Sequence, residues 1–134
     1  METIRKIMAA MEAMDEWAGG HTRIVNDPHR PLLIEWLGEA AEEGDFVSVS
    51  HTYDSNGMLR RDPEIVFHVT EDDWVPVTFR NDSTGEYRAA MIVDHGEIRY
   101  VRPRLVQQLR DFARVWDNAL AAQGYLTVIT GDIS

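Results

Sequence analysis

The clearest pattern along the chain is a pair of alternating segments on either side of Asn56-Gly57. From Phe46 to Tyr53, and again from Ile65 to Val69, side chains of like character recur at every second position, as in β-strands. Asn-Gly suits a two-residue turn because both central residues of a type I′ turn need positive φ. Residues 46–69 are therefore predicted to form a β-hairpin. Asp62-Pro63 predicts a bulge or an edge position in its second strand, because proline cannot donate a ladder hydrogen bond.

Shorter alternating segments follow the hairpin. We expect a third strand over residues 74–80, a fourth over 86–93 and a short fifth over 97–101. Each is separated from the next by a few turn-forming residues. Short connections favour neighbouring antiparallel strands, so these segments predict a meander sheet.

Two stretches before the hairpin have apolar residues at helical spacing. The first covers residues 2–18, carries a methionine-rich stripe that ends at Met14 and Trp17, and stops at Gly19-Gly20. Residues 21–26 are expected to be a linker. The second predicted helix begins with Asp27 as N-cap and ends at Gly44. Its outer face carries four acidic residues, which are Glu35, Glu39, Glu42 and Glu43.

A third helical stretch runs from Pro103 to about Gln123, and the tail after it is expected to add a strand or to pack on the core. Its predicted apolar face consists of Leu105, Leu109, Phe112, Trp116 and Leu120. Together these elements predict a single α+β domain over residues 1–134. It would contain a four- to five-stranded antiparallel meander sheet packed by two N-terminal helices and one long C-terminal helix.

Charge and composition narrow the functional classes. The formal net charge is −10. Residues 1–73 contain 16 acidic and 6 basic residues, whereas residues 74–134 contain 7 of each, so the excess of negative charge lies in the first half. An acidic surface disfavours direct binding to nucleic acid or to anionic membranes and permits a basic protein partner, although solubility alone also explains it. No apolar run is long enough to span a bilayer and no signal peptide is recognised, so a cytoplasmic protein is expected. A homo-oligomer is left open.

Cofactor and metal motifs are not found. The chain has no cysteine, its five histidines show no HxH or HExxH spacing, and no glycine-rich phosphate loop is present. We therefore expect no cofactor and no metal. The arginines near the start of the C-terminal helix are the one basic cluster, and we interpret them as a counter-surface to the acidic half.

The hairpin carries the candidate chemistry. With a two-residue loop, Tyr53 would face Arg60, His51 would face Asp62, and Phe46 would face Phe67. An Asp beside a His can orient the imidazole and raise its basicity, which makes His51, Asp62 and Tyr53 weak catalytic candidates. The alternative is a cross-strand pair that only fixes the register. Further candidate binding residues are Arg60, Asn81 and Asp82, in addition to the four glutamates.

Three segments resemble one known family. Residues 51–64 are similar to a signature of the form H-Y-x-x-Q-N-G-D-x-M-x-D-P-[DE], and residues 79–87 are similar to a Y-x-N-D-x-x-G-x-Y block. The C-terminal helix resembles F-x-x-x-W-x-x-x-L-x-x-Q-G-[FY] through Phe112, Trp116, Leu120, Gln123, Gly124 and Tyr125. The family consists of small uncharacterised bacterial proteins, a domain of unknown function, carried on plasmids, phages and integrative elements. The resemblance covers about residues 45–125. The chain departs from the signature at Thr52, Ser55 and Met58, which removes part of its polar character.

This resemblance implies a shared fold and a genomic setting, but no activity. The first hypothesis is a non-enzymatic accessory protein of a mobile genetic element that acts by protein–protein interaction. The second is an acidic DNA mimic that inhibits host restriction or CRISPR defence. The third is a small-ligand binder or enzyme that uses the polar cluster of the hairpin.

Overall fold

The computed structural model describes residues 1–13 and 20–130. The helices are α1 (Glu2–Ala13), α2 (Pro103–Ala122) and α3 (Tyr125–Thr130). The strands are β1 (His21–Asn26), β2 (His29–Glu39), β3 (Asp45–Ser55), β4 (Met58–Val69), β5 (Trp74–Asn81), β6 (Glu86–Ala89), β7 (Met91–Asp94) and β8 (Glu97–Val101). The α+β class is confirmed.

The first six strands form one sheet in chain order, and every neighbouring pair is antiparallel. The last two strands pair with each other in a separate sheet. Helices α1, α2 and α3 contact one another, with α2 over β5 and α3 beside β1. The antiparallel meander is confirmed, but within the described residues it has six strands rather than four or five. The predicted fifth strand, residues 97–101, belongs to the second sheet and not to the meander.

The predicted second helix over residues 27–44 is wrong, because this segment supplies β2. Leu32 and Ile34 are fully buried at alternate positions, and β2 pairs with β1 on one side and β3 on the other. The backbone N–H and C=O groups of this segment therefore form hydrogen bonds with a strand on each side. This pairing decides in favour of a strand, although the apolar residues also fit a helical spacing. Asp27 and Pro28 form the turn between β1 and β2 instead of a helix start.

The predicted linker over residues 21–26 is also wrong, since it forms the edge strand β1. Thr22 and Ile24 are buried, while His21, Arg23 and Val25 are exposed. This two-residue alternation is short, but it places one apolar face toward the core. Among the described residues, one helix therefore precedes the sheet, not two.

The N-terminal helix is confirmed over Glu2–Ala13, where Ile4, Ile7 and Met11 are buried. Met14, Trp17 and Gly19, on which the longer prediction depended, lie outside the described residues. At the other end, α2 is confirmed, but its buried face is turned slightly from the predicted one. Leu105 is only partly buried and Phe112 is exposed. The buried side chains of this helix are Val106, Leu109, Ala113, Trp116 and Leu120.

The predicted fourth strand is divided at Ala90, which is fully buried. Its amide donates to the Val77 carbonyl at 2.8 Å, and its carbonyl accepts from the Arg102 amide at 2.7 Å. The ladder between β6 and β5 ends at Ala89, and the small sheet of β7 and β8 begins at Met91, so Ala90 lies between the two sheets. The tail after α2 forms the short helix α3, in which Tyr125 is fully buried, instead of a further strand.

The central hairpin of β3 and β4 has the predicted turn and the predicted bulge. Ser55 pairs with Met58 and Tyr53 with Arg60, as a two-residue loop requires. Beyond Thr52 the register shifts by one residue, because Asp62 and Pro63 together occupy one step of the ladder. The predicted pairing of Phe46 with Phe67 is therefore wrong: Phe46 pairs with His68, and Phe67 pairs with Val47.

Candidate functional site

His51 lies beneath the helices and not in an open site. Its ring centroid is 5.4 Å from that of Trp116 and 5.6 Å from that of Tyr125. Burial lowers the pKa of His51, against the opposing effect of the Pro31 and Arg30 backbone, so the neutral imidazole is favoured. Its Nδ1 atom has no hydrogen-bond partner among the residues that the structure describes. Asp62 and Pro63 together lie opposite His51 at the bulge, and the charge of Asp62 acts to raise the pKa of His51. No hydrogen bond joins the two side chains among the described residues, because the Asp62 carboxylate bonds elsewhere.

Asp62 belongs instead to a surface cluster at the bulge. Its Oδ2 atom accepts a hydrogen bond from Ser83 Oγ at 2.6 Å and lies 3.2 Å from Arg30 Nη1. Tyr53 closes the cluster, because its hydroxyl is 2.9 Å from Ser83 Oγ and its ring lies 4.4 Å under the Arg30 guanidinium carbon. We call Arg30, Tyr53, Asp62 and Ser83 the bulge cluster. Its polar groups are mostly paired with one another.

The remaining hairpin candidates shape the loop next to this cluster. Asn81 Oδ1 accepts from the Ser83 amide at 2.9 Å, which is a local turn contact. Asp82 accepts from the Arg61 amide at 2.8 Å and from Arg80 Nε at 2.7 Å. Burial raises the pKa of Asp82, but these hydrogen bonds outweigh it and hold the pKa below its ordinary value. Arg60 faces Tyr53 across the hairpin, as predicted.

A second polar network crosses β2, β3 and β4. Arg61 Nη1 lies 2.8 Å from Glu35 Oε1 and 2.8 Å from Glu64 Oε2. Glu64 also accepts a hydrogen bond from the fully buried Ser48 at 2.7 Å. Burial lowers the pKa of Arg61, but hydrogen bonds and charge from Glu35 and Glu64 raise it overall. Glu35, predicted on an exposed acidic helix face, is thus held by an internal ion pair.

The other three predicted acidic residues are exposed but dispersed. Glu39 ends β2, whereas Glu42 and Glu43 lie in the loop that follows it. Glu43 alone among these glutamates borders a large open cavity. Glu42 and Glu43 both line a smaller cavity of 170 Å³. These acidic residues therefore lie on a strand and a loop of the sheet, and not on the outer face of a helix.

The larger cavity is an open cleft of 1380 Å³ between α1, α2 and the ends of β3, β4 and β5. We call it the acidic cleft. Apolar side chains that line it and remain partly accessible are Met1, Met8, Val69 and Trp74. Trp74 packs edge-on against the buried Phe67, with ring centroids 5.5 Å apart. The cleft therefore combines an apolar surface with open access.

Acidic residues dominate the polar lining of this cleft. Eight line it, which are Glu2, Glu12, Glu43, Asp45, Glu71, Asp72, Asp73 and Asp117. Three arginines line it as well, which are Arg5, Arg110 and Arg114. Arg5 pairs with Glu2, and Arg110 with Asp73, whereas Arg114 pairs with Asp111 outside the cleft lining. The other six acids make no ion pair in the described part of the chain, so the cleft keeps an excess of negative charge.

Sequence reasoning identified the acidic half but not the cleft. Its lining comes from α1, the loop after β2, the turn after β4, and α2, which are far apart in the chain. Glu71, Asp72 and Asp73 are three consecutive acids between two strands, and only the tertiary structure places them beside α2 in the cleft. Arg30, Ser83 and Arg61 were missed because no local pattern connects them to Asp62, Tyr53 or Glu35. The basic cluster meets the acidic half in one ion pair of the described residues, Arg110 with Asp73.

Two further observations concern metals and membranes. Within residues 1–13 and 20–130, no three histidine, aspartate or glutamate side chains converge in an arrangement that could hold a metal ion. No helix in the described ranges has both the length and the apolar character needed to cross a membrane.

The three segments that carry the family resemblance contact one another near the bulge at Asp62-Pro63. Residues 51–64 contact residues 79–87 through the bonds of Ser83 to Asp62 and of Asp82 to Arg61. The C-terminal block reaches the same hairpin through Trp116 and Tyr125, which pack on His51. These contacts give the three segments a common structural role.

Comparison with known proteins adds a family. No curated protein and no solved structure matches the chain. A family model described as "Domain of unknown function (DUF6908)" matches residues 2–126, which include α1, the whole sheet and α2. The chain belongs to this family of unknown function.

Proposed function

We propose that this protein is a small cytoplasmic accessory protein of a mobile genetic element that acts by binding another protein through the acidic cleft. The mobile-element setting is supported by the resemblance of the hairpin signature and by the C-terminal helix pattern. The mode of action is supported by the shape, lining and charge of the cleft.

The single observation that carries this proposal is an apolar surface within an acidic rim. Pockets for small ligands usually measure about 300–1,000 Å³, so a cleft of 1380 Å³ is large enough for a segment of polypeptide. Met8 and Trp74 offer apolar contact area, and Glu43, Glu71 and Asp72 add charge without ion-pair partners among the described residues. The complementary partner is a basic segment with apolar side chains on one face, in the manner of a helix in a groove.

A DNA mimic is less well supported by the same cleft. A mimic needs acidic groups spread along a convex surface at the spacing of phosphates, and an accessible apolar floor has no counterpart in a phosphate backbone. A ligand-binding role of the bulge cluster also has less support, because Asp62, Ser83 and Tyr53 bond mainly to one another. Neither His51 nor the bulge cluster lines the acidic cleft.

A synthetic peptide tests the proposal directly. The probe is a fluorescently labelled amphipathic helix with arginines on one face and leucines on the other, and its affinity is measured by anisotropy. Reversing two charges of the cleft, with Glu71→Lys and Asp72→Lys, is expected to weaken binding by about tenfold or more. The reason is that two attractions become two repulsions of about 0.2–1 kcal/mol each.

A matched control separates the cleft from net charge. Asp54→Lys with Asp94→Lys makes the same change of charge at exposed positions outside the cleft lining. This control is expected to lower affinity by less than about threefold, because these exposed charges do not line the cleft and salt screens them. Equal losses in both double variants would show that only the overall charge attracts the peptide, and would refute the cleft.

A further inference from the structure

One ion pair spans the acidic cleft. Arg110 on α2 meets Asp73 in the turn before β5, with Nη1 to Oδ1 at 3.1 Å and Nη2 to Oδ2 at 2.7 Å. Both side chains line the cleft and are 37% and 47% exposed, respectively. The paired geometry of an arginine on a carboxylate is therefore already present inside the proposed binding surface.

The negative charge around Asp73 favours the binding of a second cation in addition to Arg110. Glu71 and Asp72 are exposed in the same turn and make no ion pair in the described ranges. The hydrogen bond from Arg110 holds the pKa of Asp73 below its ordinary value, against the opposing effect of burial. Asp73 thus remains charged, and its turn carries more negative charge than Arg110 neutralises.

We propose that the bound partner segment carries an arginine that takes the place of Arg110 on Asp73, so that Asp73 makes the cleft selective for arginine over lysine. This inference rests on the proposed function of the cleft. An exposed ion pair contributes little net stability, so exchanging one guanidinium for another is inexpensive. A lysine ammonium is a point charge and cannot bond both carboxylate oxygens in the parallel geometry that Arg110 shows.

The first test compares two charge-matched variants. Arg110→Gln and Arg114→Gln each remove one positive charge from the lining of the cleft, but only the first releases Asp73, since Arg114 pairs with Asp111. With the arginine peptide, Arg110→Gln is expected to bind about three- to fivefold more tightly than Arg114→Gln. Equal affinities of the two variants would overturn the inference, because net charge would then explain the gain.

The second test exchanges the chemistry of the probe. A peptide in which every arginine is replaced by lysine is expected to bind the unmodified protein several-fold more weakly than the arginine peptide. Asp73→Asn should abolish this preference, while its remaining oxygen still accepts the Trp74 amide hydrogen bond that Asp73 Oδ1 accepts at 2.8 Å. A preference that survives Asp73→Asn would overturn the inference.

The two proposals fail in different ways. If neither peptide binds, or if the reversal of Glu71 and Asp72 has no larger effect than its control, the cleft is not the binding surface. If both peptides bind the cleft with equal affinity, protein binding stands and the selectivity of Asp73 is wrong.

Discussion

Replacing Arg61 by methionine removes the only cation of the network that joins β2, β3 and β4 within the described structure. Its guanidinium lies 2.8 Å from both Glu35 and Glu64, whose side chains are 30% and 15% exposed. Breaking a fully buried pair by removing one partner costs about 3–5 kcal/mol, because an unpaired charge remains. Partial exposure and the Ser48 hydrogen bond to Glu64 reduce this, and we expect a loss of about 2–3 kcal/mol.

Urea unfolding measures this loss as a change in midpoint at constant m-value. With an m-value of about 1–3 kcal/mol per molar urea, the midpoint should fall by roughly 0.7–3 M. The matched control is Arg88→Met on β6, since Arg88 pairs with Glu86 and the two side chains are 50% and 36% exposed. This exposed pair should contribute only about 0–1 kcal/mol. Equal losses in the two variants would refute the reasoning that burial makes the Arg61 network important.

A combined variant examines the cause of the loss. Arg61→Met together with Glu35→Gln and Glu64→Gln removes all three charges, and it should regain most of the stability that Arg61→Met alone loses. Neutral replacements of a buried ionic group are often close to neutral in stability, whereas a single removal leaves an uncompensated charge. A triple variant as unstable as Arg61→Met would show that packing of the arginine stem matters more than its charge.

Two further predictions concern stability. Burial lowers the pKa of His51 in the folded protein. Below the ordinary histidine pKa of about 6.5, the unfolded chain therefore binds more protons than the folded protein does. The free energy of unfolding is thus highest above that pH and falls as the pH drops. Between pH 7.5 and 5.5, the urea midpoint of His51→Phe should therefore fall less than that of the unmodified protein. The control His21→Gln, at an exposed position, should behave like the unmodified protein. A midpoint that falls equally with pH in His51→Phe and in the unmodified protein would contradict this. Gly44→Ala should cost more than about 2 kcal/mol, because φ is +82° and an added Cβ would overlap the Val69 carbonyl oxygen. Gly57→Ala, with φ +80° and open space around its Cβ, should cost only about 1 kcal/mol by the same unfolding measurement, and equal costs would show that the contact with Val69 is irrelevant.

Local chemistry was sufficient to predict the hairpin. Asn56 and Gly57 both have positive φ, and the two-residue turn they form fixes the pairs nearest to it. Pro63 also acts locally, because it lacks an amide hydrogen and so marks the bulge. The number of extra residues in that bulge, which sets the register of the rest of the hairpin, could not be predicted from the sequence. With one extra residue in the bulge, Asp62 shares the position opposite His51 with Pro63, and its carboxylate bonds to Ser83 and Arg30.

The segment from Leu32 to Trp36 shows why secondary structure was only partly predictable. Its apolar residues satisfy a helical repeat and a two-residue repeat equally well, and short apolar runs often do. The choice depends on β1 and β3, which flank β2 and supply hydrogen-bond partners on both sides. The same limit applies to Ala90, which lies between the end of one sheet and the start of the other and bonds to Val77 of β5.

By itself, the sequence determined the α+β class, the central hairpin with its turn and bulge, the C-terminal helix and the acidic character of the first half. These depend on residue types and periodicities that act over a few positions. Only the tertiary structure decided that the acids of four separate segments surround an apolar cleft and that Glu35 is held by Arg61. It also placed His51 among aromatic rings beneath the helices. The physical reason is that sheet register and helix docking bring together side chains whose interaction energies have no local signature in the chain.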